Sequence, residues 1–184
     1  MNPLKIQKVT STEDRKRFLS FPWKVYKDDP YWVPPIFSER MHFTDSAKNP
    51  FFEHAEVDFF MAVRGDEIVG TIAAFTNHLH NEYQDENIAF FGFFEVLEDF
   101  EAAEALLTTA EDWAREHGHT ELRGPAQFST NDECGLLVDG FEDRPRILMT
   151  YNPPYYVDYI ERLGFQKARD LWAYSLAVEK FMDQ

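Results

Sequence analysis

The sequence predicts an α+β protein in which helices are layered against a mainly antiparallel sheet. Several segments rich in aromatic and β-branched residues show the alternation or the apolar runs of strands, and others show the spacing of amphipathic helices. Their order is strand, two helices, three strands, helix, strand, an irregular insertion, helix and a last strand. Such a mixture is typical of one layered fold around a single sheet.

The predicted strands are bounded by turn-forming residues. They are LKIQKVTS, AEVDFFMAVR, EIVGTIAAFTN and IAFFGFFEV before the clearest helix, and TELRGPAQF and FQKARDLWAYSLAV after it. The second and third strands flank a turn at residues 64–67, which predicts a hairpin. Gly92 in the fourth strand indicates a bulge or a close approach of another backbone.

The predicted helices combine helical spacing of apolar residues with capping residues. The clearest one runs from Phe100 to His117, where Asp99 can cap the first turn and Gly118 can end the last. Three further helices are predicted near Glu13, over residues 23–27 and in PYYVDYIERLG.

Length and composition favour one domain. The chain has 184 residues, of which 44% are hydrophobic, which is enough for one sizeable core and little for two. We therefore expect a single domain over residues 1–184, with an aromatic and proline-rich arm at about 21–54 and an insertion at about 129–150. Aromatic residues of the arm can line a ligand or anchor an irregular segment, and we expect packing for Trp23, Tyr26, Tyr31 and Trp32.

Charge and apolar patterning exclude several kinds of partner. The net charge of −15 opposes binding to a nucleic-acid backbone, and no basic patch offsets it. No apolar run approaches the length of a membrane span, and the N-terminus lacks the pattern of a signal peptide. A single cysteine agrees with a reducing compartment. We therefore expect a cytoplasmic protein without nucleic-acid or membrane partners.

Two groups of reactive side chains have plain structural explanations. Cys134 follows Asp132 and Glu133, whose carboxylates raise a thiol pKa, so we expect a turn or packing residue and not a nucleophile. His78 and His80 would share one face of a strand at a spacing that suits a metal. The asparagines around them favour a polar strand end and loop, so we predict no metal site.

The chain resembles the GNAT superfamily of acyl-CoA-dependent N-acyltransferases. The resemblance lies in the hairpin, the long helix after the fourth strand, and a later helix that runs into Gly-Phe at Glu161 to Phe165. Five longer motifs are similar to those of a bacterial subfamily of GNAT-like proteins, whose members commonly continue into a second, C-terminal part. These motifs are FPWKVYKDDPYWVPP, NPFFEHAE, FFGFFE, GPAQFSTNDECGLLVDGF and YNPPYY.

This resemblance implies a twisted sheet with helices on both faces, and transfer of an acyl group from acetyl-CoA, another acyl-CoA or another acyl carrier to a small-molecule amine. It implies that strand four, near Phe94 and Val96, binds the donor through backbone N–H groups. A tyrosine would protonate the departing thiolate, with Tyr159 as the candidate and Tyr156 as the alternative, and Asn152 and Tyr156 would bind substrate. A homodimer or a second domain in longer relatives is the implied macromolecular partner.

Carboxylates near the predicted groove are the candidate general bases. Glu95 follows the apolar run FFGFF, where burial would raise its pKa and suit it to deprotonate an amine; the alternative is a solvated residue at a strand end. Glu133 is the second candidate base. Ser129 and Asn131 are candidates for hydrogen bonds to substrate, although such residues also form turns.

One segment departs from the superfamily pattern. In the superfamily, the loop before the long helix binds the CoA pyrophosphate through glycines and a basic residue. The corresponding segment of this chain reads EVLEDFEAAEAL. A carboxylate about 6 Å from a phosphate charge costs roughly 3 kcal/mol at an effective dielectric constant of about 20. We therefore expect weak binding of acetyl-CoA, and a non-catalytic GNAT-like binding module is the alternative function.

Overall fold

A computed structural model describes residues 2–174 of the chain. The strands are β1 (Leu4–Lys8), β2 (Ala55–Arg64), β3 (Glu67–Asn77), β4 (Ile88–Val96) and β5 (Glu121–Arg123). The helices are α1 (Thr12–Ser20), α2 (Pro22–Val25), α3 (Phe37–Phe43), α4 (His78–Gln84), α5 (Phe100–Glu116) and α6 (Tyr155–Arg162), and a 3₁₀ turn spans Pro50–Glu53. The sequence did not predict α3, α4 or the 3₁₀ turn.

The five strands form one sheet in the order β1-β2-β3-β4-β5. Neighbouring strands from β1 to β4 are antiparallel, and β5 joins β4 in parallel. The connection from β4 to β5 passes through α5, since a parallel pair needs a long crossover. The predicted α+β fold class and the predicted hairpin of β2 and β3 are confirmed.

Each face of the sheet carries its own apolar core, because consecutive strand residues point to opposite faces. On one face, Ile72 of β3 lies in a cluster with Leu106 of α5. On the other face, Ala73 of β3 lies in a cluster with Phe18 of α1 and Phe128. Helices therefore cover both faces, as the resemblance implied.

Beside β4, the chain that follows β5 first approaches very closely at Gly92 and is no longer paired with β4 near its carboxyl end. At Gly92 the two backbones are so close that a Cβ atom would lie 1.7 Å from the carbonyl oxygen of Ala126. The pairing of β3 with β4 also shifts register between Thr71 and Ala73, next to this glycine. Both features predicted for Gly92 are confirmed. The pairing of β5 with β4 covers only Ile88 to Phe90, so it stops short of the carboxyl end of β4.

Two predicted strands differ from the structure. TELRGPAQF is reduced to the three residues of β5, because Pro125 has no N–H group to continue the ladder. Residues 165–174 of FQKARDLWAYSLAV form no strand, and the side chains of Trp172 and Tyr174 are exposed. The remaining residues of that prediction, 175–178, lie outside the described part of the chain.

The histidine pair lies on a helix and not on a strand. The Asn77 side chain accepts a hydrogen bond from the backbone N–H of His80 at 3.0 Å, and this cap starts α4. The ring of His78 contacts Glu56 at 3.1 Å, while that of His80 contacts Glu86 at 3.0 Å. Within residues 2–174, no three His, Cys, Asp or Glu side chains are grouped so that they could hold a metal ion. The described helices also include none that is long and apolar enough to cross a membrane.

Candidate active site

A wide cleft and a narrow gap meet beside the end of β4. The cleft has a volume of about 1100 Å³ and is covered by residues of the predicted arm and the predicted insertion. The gap, of about 50 Å³, lies between β4 and the chain after β5. Both are lined by Phe93, Glu95, Gln127, Glu133, Thr150 and Tyr151. Molecules bound in the cleft and in the gap would therefore meet at these residues.

Hydroxyl groups from two distant parts of the chain hold Glu95. Tyr26, which follows α2, and Tyr156, in α6, each donate a hydrogen bond to Oε2 of Glu95 at 2.8 Å. The other oxygen, Oε1, makes no hydrogen bond to a residue within 2–174, and it stays accessible because Glu95 lines both cavities. One carboxylate oxygen is thus fixed and the other is left for a ligand.

The surroundings of Glu95 keep its proton affinity high. Burial raises the pKa of Glu95 from 4.5 to about 7. The hydrogen bonds from Tyr156 and Tyr26 oppose this rise in pKa, and the nearby charge of Glu133 adds to it. The apolar run before Glu95 predicted a raised pKa of this kind. A carboxylate with a pKa near neutrality can both accept and release a proton at physiological pH.

Glu133 is engaged in an ion pair. Arg40 of α3 donates to the Glu133 carboxylate with one terminal nitrogen and to the Gln127 side chain with the other. The exposed fractions are 21% for the Arg40 side chain and 28% for that of Glu133. Of the two candidate bases, Glu133 has a cationic partner, and Glu95 has none among residues 2–174.

Ser129 and Asn131 belong to a hydrogen-bonded turn in the predicted insertion. The Ser129 hydroxyl donates to Asp132 at 2.6 Å and accepts from the backbone N–H of Asn131 at 3.1 Å. The Asn131 side chain is exposed. Asp132 lines the cleft, whereas Ser129 and Asn131 are absent from its described lining.

Asn152 lies in the lining of the gap and anchors the insertion. Its side-chain carbonyl accepts from the backbone N–H of Leu137 at 2.7 Å, and its amide nitrogen donates to the Leu137 carbonyl at 3.3 Å. Asn152 is only 4% exposed. These contacts fix residues fifteen positions apart.

The backbone of Val96 is paired with tyrosine side chains. Its N–H donates to the Tyr156 hydroxyl at 2.7 Å, and its carbonyl accepts from the Tyr155 hydroxyl at 2.6 Å. The ring of Phe94 packs edge-on against the ring of Tyr156, with centroids 5.2 Å apart. A donor that used the Val96 backbone would have to displace these hydroxyl groups.

Of the two alternative tyrosines, it is Tyr156 that contacts Glu95. Tyr156 lines the gap, whereas Tyr159 packs edge-on against Phe100 at 5.2 Å and contacts Tyr155 at 5.3 Å. The two residues lie on the same buried face of α6, about one turn apart, so only one of them reaches Glu95.

Side chains of the protein itself occupy the N-terminus of α5. Asp99 accepts a hydrogen bond from the backbone N–H of Ala102 at 3.1 Å. Arg64 donates to Asp99 at 2.8 Å and to Glu101 at 2.6 Å, and it holds the pKa of Asp99 below its usual value. A helix end that is capped and flanked by carboxylates does not fit a pyrophosphate. Acyl-CoA would therefore not be bound here in the way the resemblance implied.

A sequence model described as "Acetyltransferase (GNAT) family" matches residues 17–131, which is more than half of the chain. This chain belongs to the GNAT family. Its matched region contains Glu95 and the whole of α5 but ends before Glu133. The assignment that the sequence motifs predicted is confirmed.

Two relatives extend well beyond the GNAT chain. The chain is 38% identical over 172 residues to "Bacterial ceramide synthase" of Caulobacter vibrioides (strain NA1000 / CB15N), which covers 93% of this chain and 45% of the relative. It is 35% identical over 188 residues to "Protein YghO" of Escherichia coli (strain K12), which covers 97% of this chain and 48% of that protein. The GNAT chain therefore spans about half the length of either relative.

Solved structures of aminoglycoside acetyltransferases share the fold. AAC(6')-Iy in complex with a CoA-containing bisubstrate analog aligns with a TM-score of 0.56 at 13% identity, over 96% of this chain and 99% of that one. The enzyme meta-AAC0020 from an uncultured soil metagenomic sample, bound to sisomicin, aligns at 0.54 and 15% identity, over 95% and 97%. Identities this low support the shared fold alone.

Two residues of this GNAT site were missed in the sequence. The sequence predicts only packing for Tyr26 and assigns no role to Arg40. Their partners, Glu95 and Glu133, are 69 and 93 positions away, so no local pattern connects them. The available signal was the run of prolines and aromatic residues in the arm, which indicated an anchored segment without naming what it covers.

Cys134 lies beside this site without taking part in its hydrogen bonds. Burial raises the pKa of its thiol, and its side chain packs against the apolar cluster that contains Phe128. Its backbone forms an isolated β-bridge with that of Ala126. These contacts agree with the packing role that the sequence predicted.

Proposed function

We propose that this GNAT protein is an N-acyltransferase that moves an acyl group from a thioester to an amine. The observation that carries the proposal is the position of Glu95, which lines both the wide cleft and the narrow gap and whose pKa lies at about 7. The amine would bind in the cleft and the thioester in the gap. Their reacting atoms would then meet at Glu95.

In this proposal Glu95 is the general base. Its accessible oxygen, Oε1, accepts a proton from the amine as the nitrogen attacks the thioester carbonyl. The new carbon–nitrogen bond forms, the carbon–sulfur bond breaks, and the sulfur leaves as a thiolate. Tyr156 lines the gap and hydrogen-bonds Glu95, so its hydroxyl can protonate the thiolate. Tyr156 then regains a proton from solvent, and Glu95 releases to solvent the proton that it took from the amine. No net proton is gained or lost by the protein.

We further propose that the amine carries a long apolar chain. The cleft is much larger than a small amine needs, since pockets for drug-sized ligands measure about 300 to 1,000 Å³. Apolar side chains make up much of its lining, among them Phe18, Leu19, Trp32, Ile36, Phe43 and Met149. The name of the Caulobacter relative supports the same class, because a ceramide is an amide of a long-chain amino alcohol.

The charged end of the cleft suits the head of such an amine. Glu133 and Asp132 lie in its lining together with Glu95, and Arg40 compensates Glu133. An ammonium group would meet three carboxylates at this end, whereas Glu39 is the carboxylate that the arm contributes to the described lining. Glu133 and Asp132 are the residues we expect to bind the ammonium group, which releases one proton to solvent before its nitrogen attacks as the neutral amine.

The start of α5 bears on the carrier of the acyl group. The capped, acidic start of α5 disfavours a pyrophosphate there. The same feature favours the second candidate function, a GNAT-like binding module without turnover. The two functions differ in one measurable respect, since only the enzyme converts a thioester and an amine into an amide.

The test is an acyl-transfer assay with purified protein, long-chain amino alcohols and small polyamines as acceptors, and acyl-CoA thioesters of increasing length as donors. We expect amide formation with the long-chain amines, and a loss of about 10²- to 10⁴-fold in kcat for Glu95→Gln. Glu116→Gln is the matched control, because Glu116 is an exposed carboxylate at the far end of α5 and lines neither cavity. Equal rates for Glu95→Gln and the parent would remove Glu95 from the mechanism. If none of the acceptors yields an amide, the binding module is favoured.

A further inference from the structure

Tyr26 is the one contact between the arm and the carboxylate of Glu95 that the structure describes. It lies directly after α2 and is 3% exposed. Its ring stacks on Trp32, with centroids 4.9 Å apart and planes 14° from parallel, and it also contacts the ring of Tyr151 at 5.9 Å. The phenol ring of Tyr26 therefore packs between Trp32 of the arm and Tyr151, which directly follows the predicted insertion.

The hydroxyl of Tyr26 has a single proton to donate, and geometry assigns it to Glu95. The distance to Oε2 of Glu95 is 2.8 Å, whereas that to the carbonyl of Tyr151 is 3.3 Å. Burial raises the pKa of Tyr26 well above its usual value, so the phenol remains a donor across the physiological pH range.

Tyr156 donates to the same oxygen from the opposite element. Both hydroxyl groups donate to Oε2, so this oxygen is held from two directions, while Oε1 makes no hydrogen bond to a described residue. A single donor would leave the carboxylate free to turn about its last torsion. Loss of Tyr26 would therefore change how often Oε1 is presented to a ligand.

We propose that Tyr26 is a positioning residue that couples the aromatic arm to Glu95 and orients this carboxylate for the amine. The assignment of Glu95 as a base rests on the proposed function, but the coupling itself does not. Any ligand that moves Trp32 or the chain around Tyr26 would also alter the hydrogen bonding of Glu95.

The groups that face Glu95 define what the test must control. They are Tyr26 from the arm, Tyr155 and Tyr156 from α6, and Glu133, which is paired with Arg40 of α3. Tyr26 is the member of this set whose change to Phe alters no charge and changes no side chain of α6.

The measurement is a carbon-13 NMR titration of the Glu side-chain carboxyl groups, with the Glu95 signal assigned by its loss in Glu95→Gln. We expect Glu95 to titrate at about 7 in the parent protein. In Tyr26→Phe it should titrate about one pKa unit higher, because a hydrogen bond to the ionised carboxylate is lost. Tyr31→Phe is the matched control, since the Tyr31 hydroxyl makes no hydrogen bond within residues 2–174, and it should leave the titration unchanged.

A second substitution tests the same contact in the opposite direction. Tyr26→3-fluorotyrosine keeps the shape of the ring and makes the phenol a stronger donor, so the pKa of Glu95 should fall. This variant decides the matter if Tyr26→Phe does not fold. An unchanged Glu95 titration in the folded variants overturns the proposal.

The catalytic readout separates this proposal from the proposed function. The acid limb of kcat/KM for acyl transfer should move to higher pH in Tyr26→Phe by the same amount as the NMR titration. If the Glu95 titration shifts in Tyr26→Phe but the protein transfers no acyl group, the coupling of Tyr26 to Glu95 is supported and the proposed acyltransferase function is contradicted. If Tyr26→Phe transfers acyl groups and the acid limb of its kcat/KM profile lies at the same pH as in the parent protein, the coupling is contradicted and the acyltransferase function is supported.

Discussion

The hydroxyl of Tyr156 accepts a hydrogen bond from the backbone N–H of Val96 at 2.7 Å, across the gap where β4 has left its neighbour β5. Tyr156 therefore acts in place of a missing strand partner. Because it is 1% exposed, water cannot easily replace it. This contact joins α6 to the sheet directly beside Glu95.

Tyr156→Phe should lower the free energy of unfolding by about 1 to 3 kcal/mol, since it leaves the N–H of Val96 buried without an acceptor. Urea denaturation at pH 7 measures the change. Tyr83→Phe is the control, because Tyr83 is 86% exposed, and it should be neutral within about 0.5 kcal/mol. Equal stability of the two variants would mean that water or another group satisfies Val96.

The pH dependence of stability should reveal Glu95. Its pKa is about 7 in the folded protein and 4.5 in a model peptide, so the folded state binds more protons between these values. The contribution of Glu95 to stability is thus fully present below pH 4.5 and lost as the pH rises to about 7. Between about pH 5 and pH 8 this loss amounts to about 2 to 3 kcal/mol at 1.36 kcal/mol per unit.

Glu95→Gln should remove that part of the pH dependence, as measured by urea denaturation of both proteins across the range. Glu98→Gln, at an exposed position, should keep the profile of the parent protein. If Glu95→Gln and the parent show parallel profiles, Glu95 titrates at its ordinary pKa in the folded state.

CoA should bind weakly, with an affinity that rises as salt is added. The usual salt effect on an anionic ligand is a loss of affinity, but here the carboxylates at the start of α5 repel the ligand, and salt screens that repulsion. Glu98→Gln should raise the affinity about two- to tenfold at low salt, and Glu116→Gln, at the far end of the same helix, should not. Calorimetry gives both quantities. Micromolar affinity of the parent protein at physiological salt would contradict this account of the helix end.

Cys134→Ser should leave stability nearly unchanged and any acyl-transfer rate unchanged. Burial raises the pKa of the thiol, which disfavours the thiolate needed for nucleophilic attack. Alkylation of the parent protein at neutral pH should accordingly be slower than that of a free thiol such as glutathione. Loss of turnover in a folded Cys134→Ser variant would identify the cysteine as functional after all.

Local features of the sequence predicted the elements that depend on local chemistry. Asp99 does cap α5, Gly92 does mark a close approach of two backbones, and Glu95 does follow its apolar run with a raised pKa. Each of these follows from residues within a few positions. The prediction for the histidine pair was wrong. The asparagines around it indicated a strand end and loop, whereas the Asn77 side chain caps the start of a helix.

The choice between Tyr156 and Tyr159 could not be made from the sequence. Both lie on the same short helix, and the family pattern left the register open. Only the packing of α6 against β4 decides that the hydroxyl of Tyr156 meets Glu95 while the ring of Tyr159 packs on Phe100.

By itself, then, the sequence determined the order of most elements, the family resemblance and the carboxylate at the end of β4. Tertiary structure alone decided which partners that carboxylate has. Tyr26 and Arg40 come from an irregular arm whose path depends on long-range packing, 69 and 93 positions from the residues they contact. Hydrogen bonds across such distances leave no periodicity in the chain, because periodicity records the neighbours within one helix or strand and not the contacts between them.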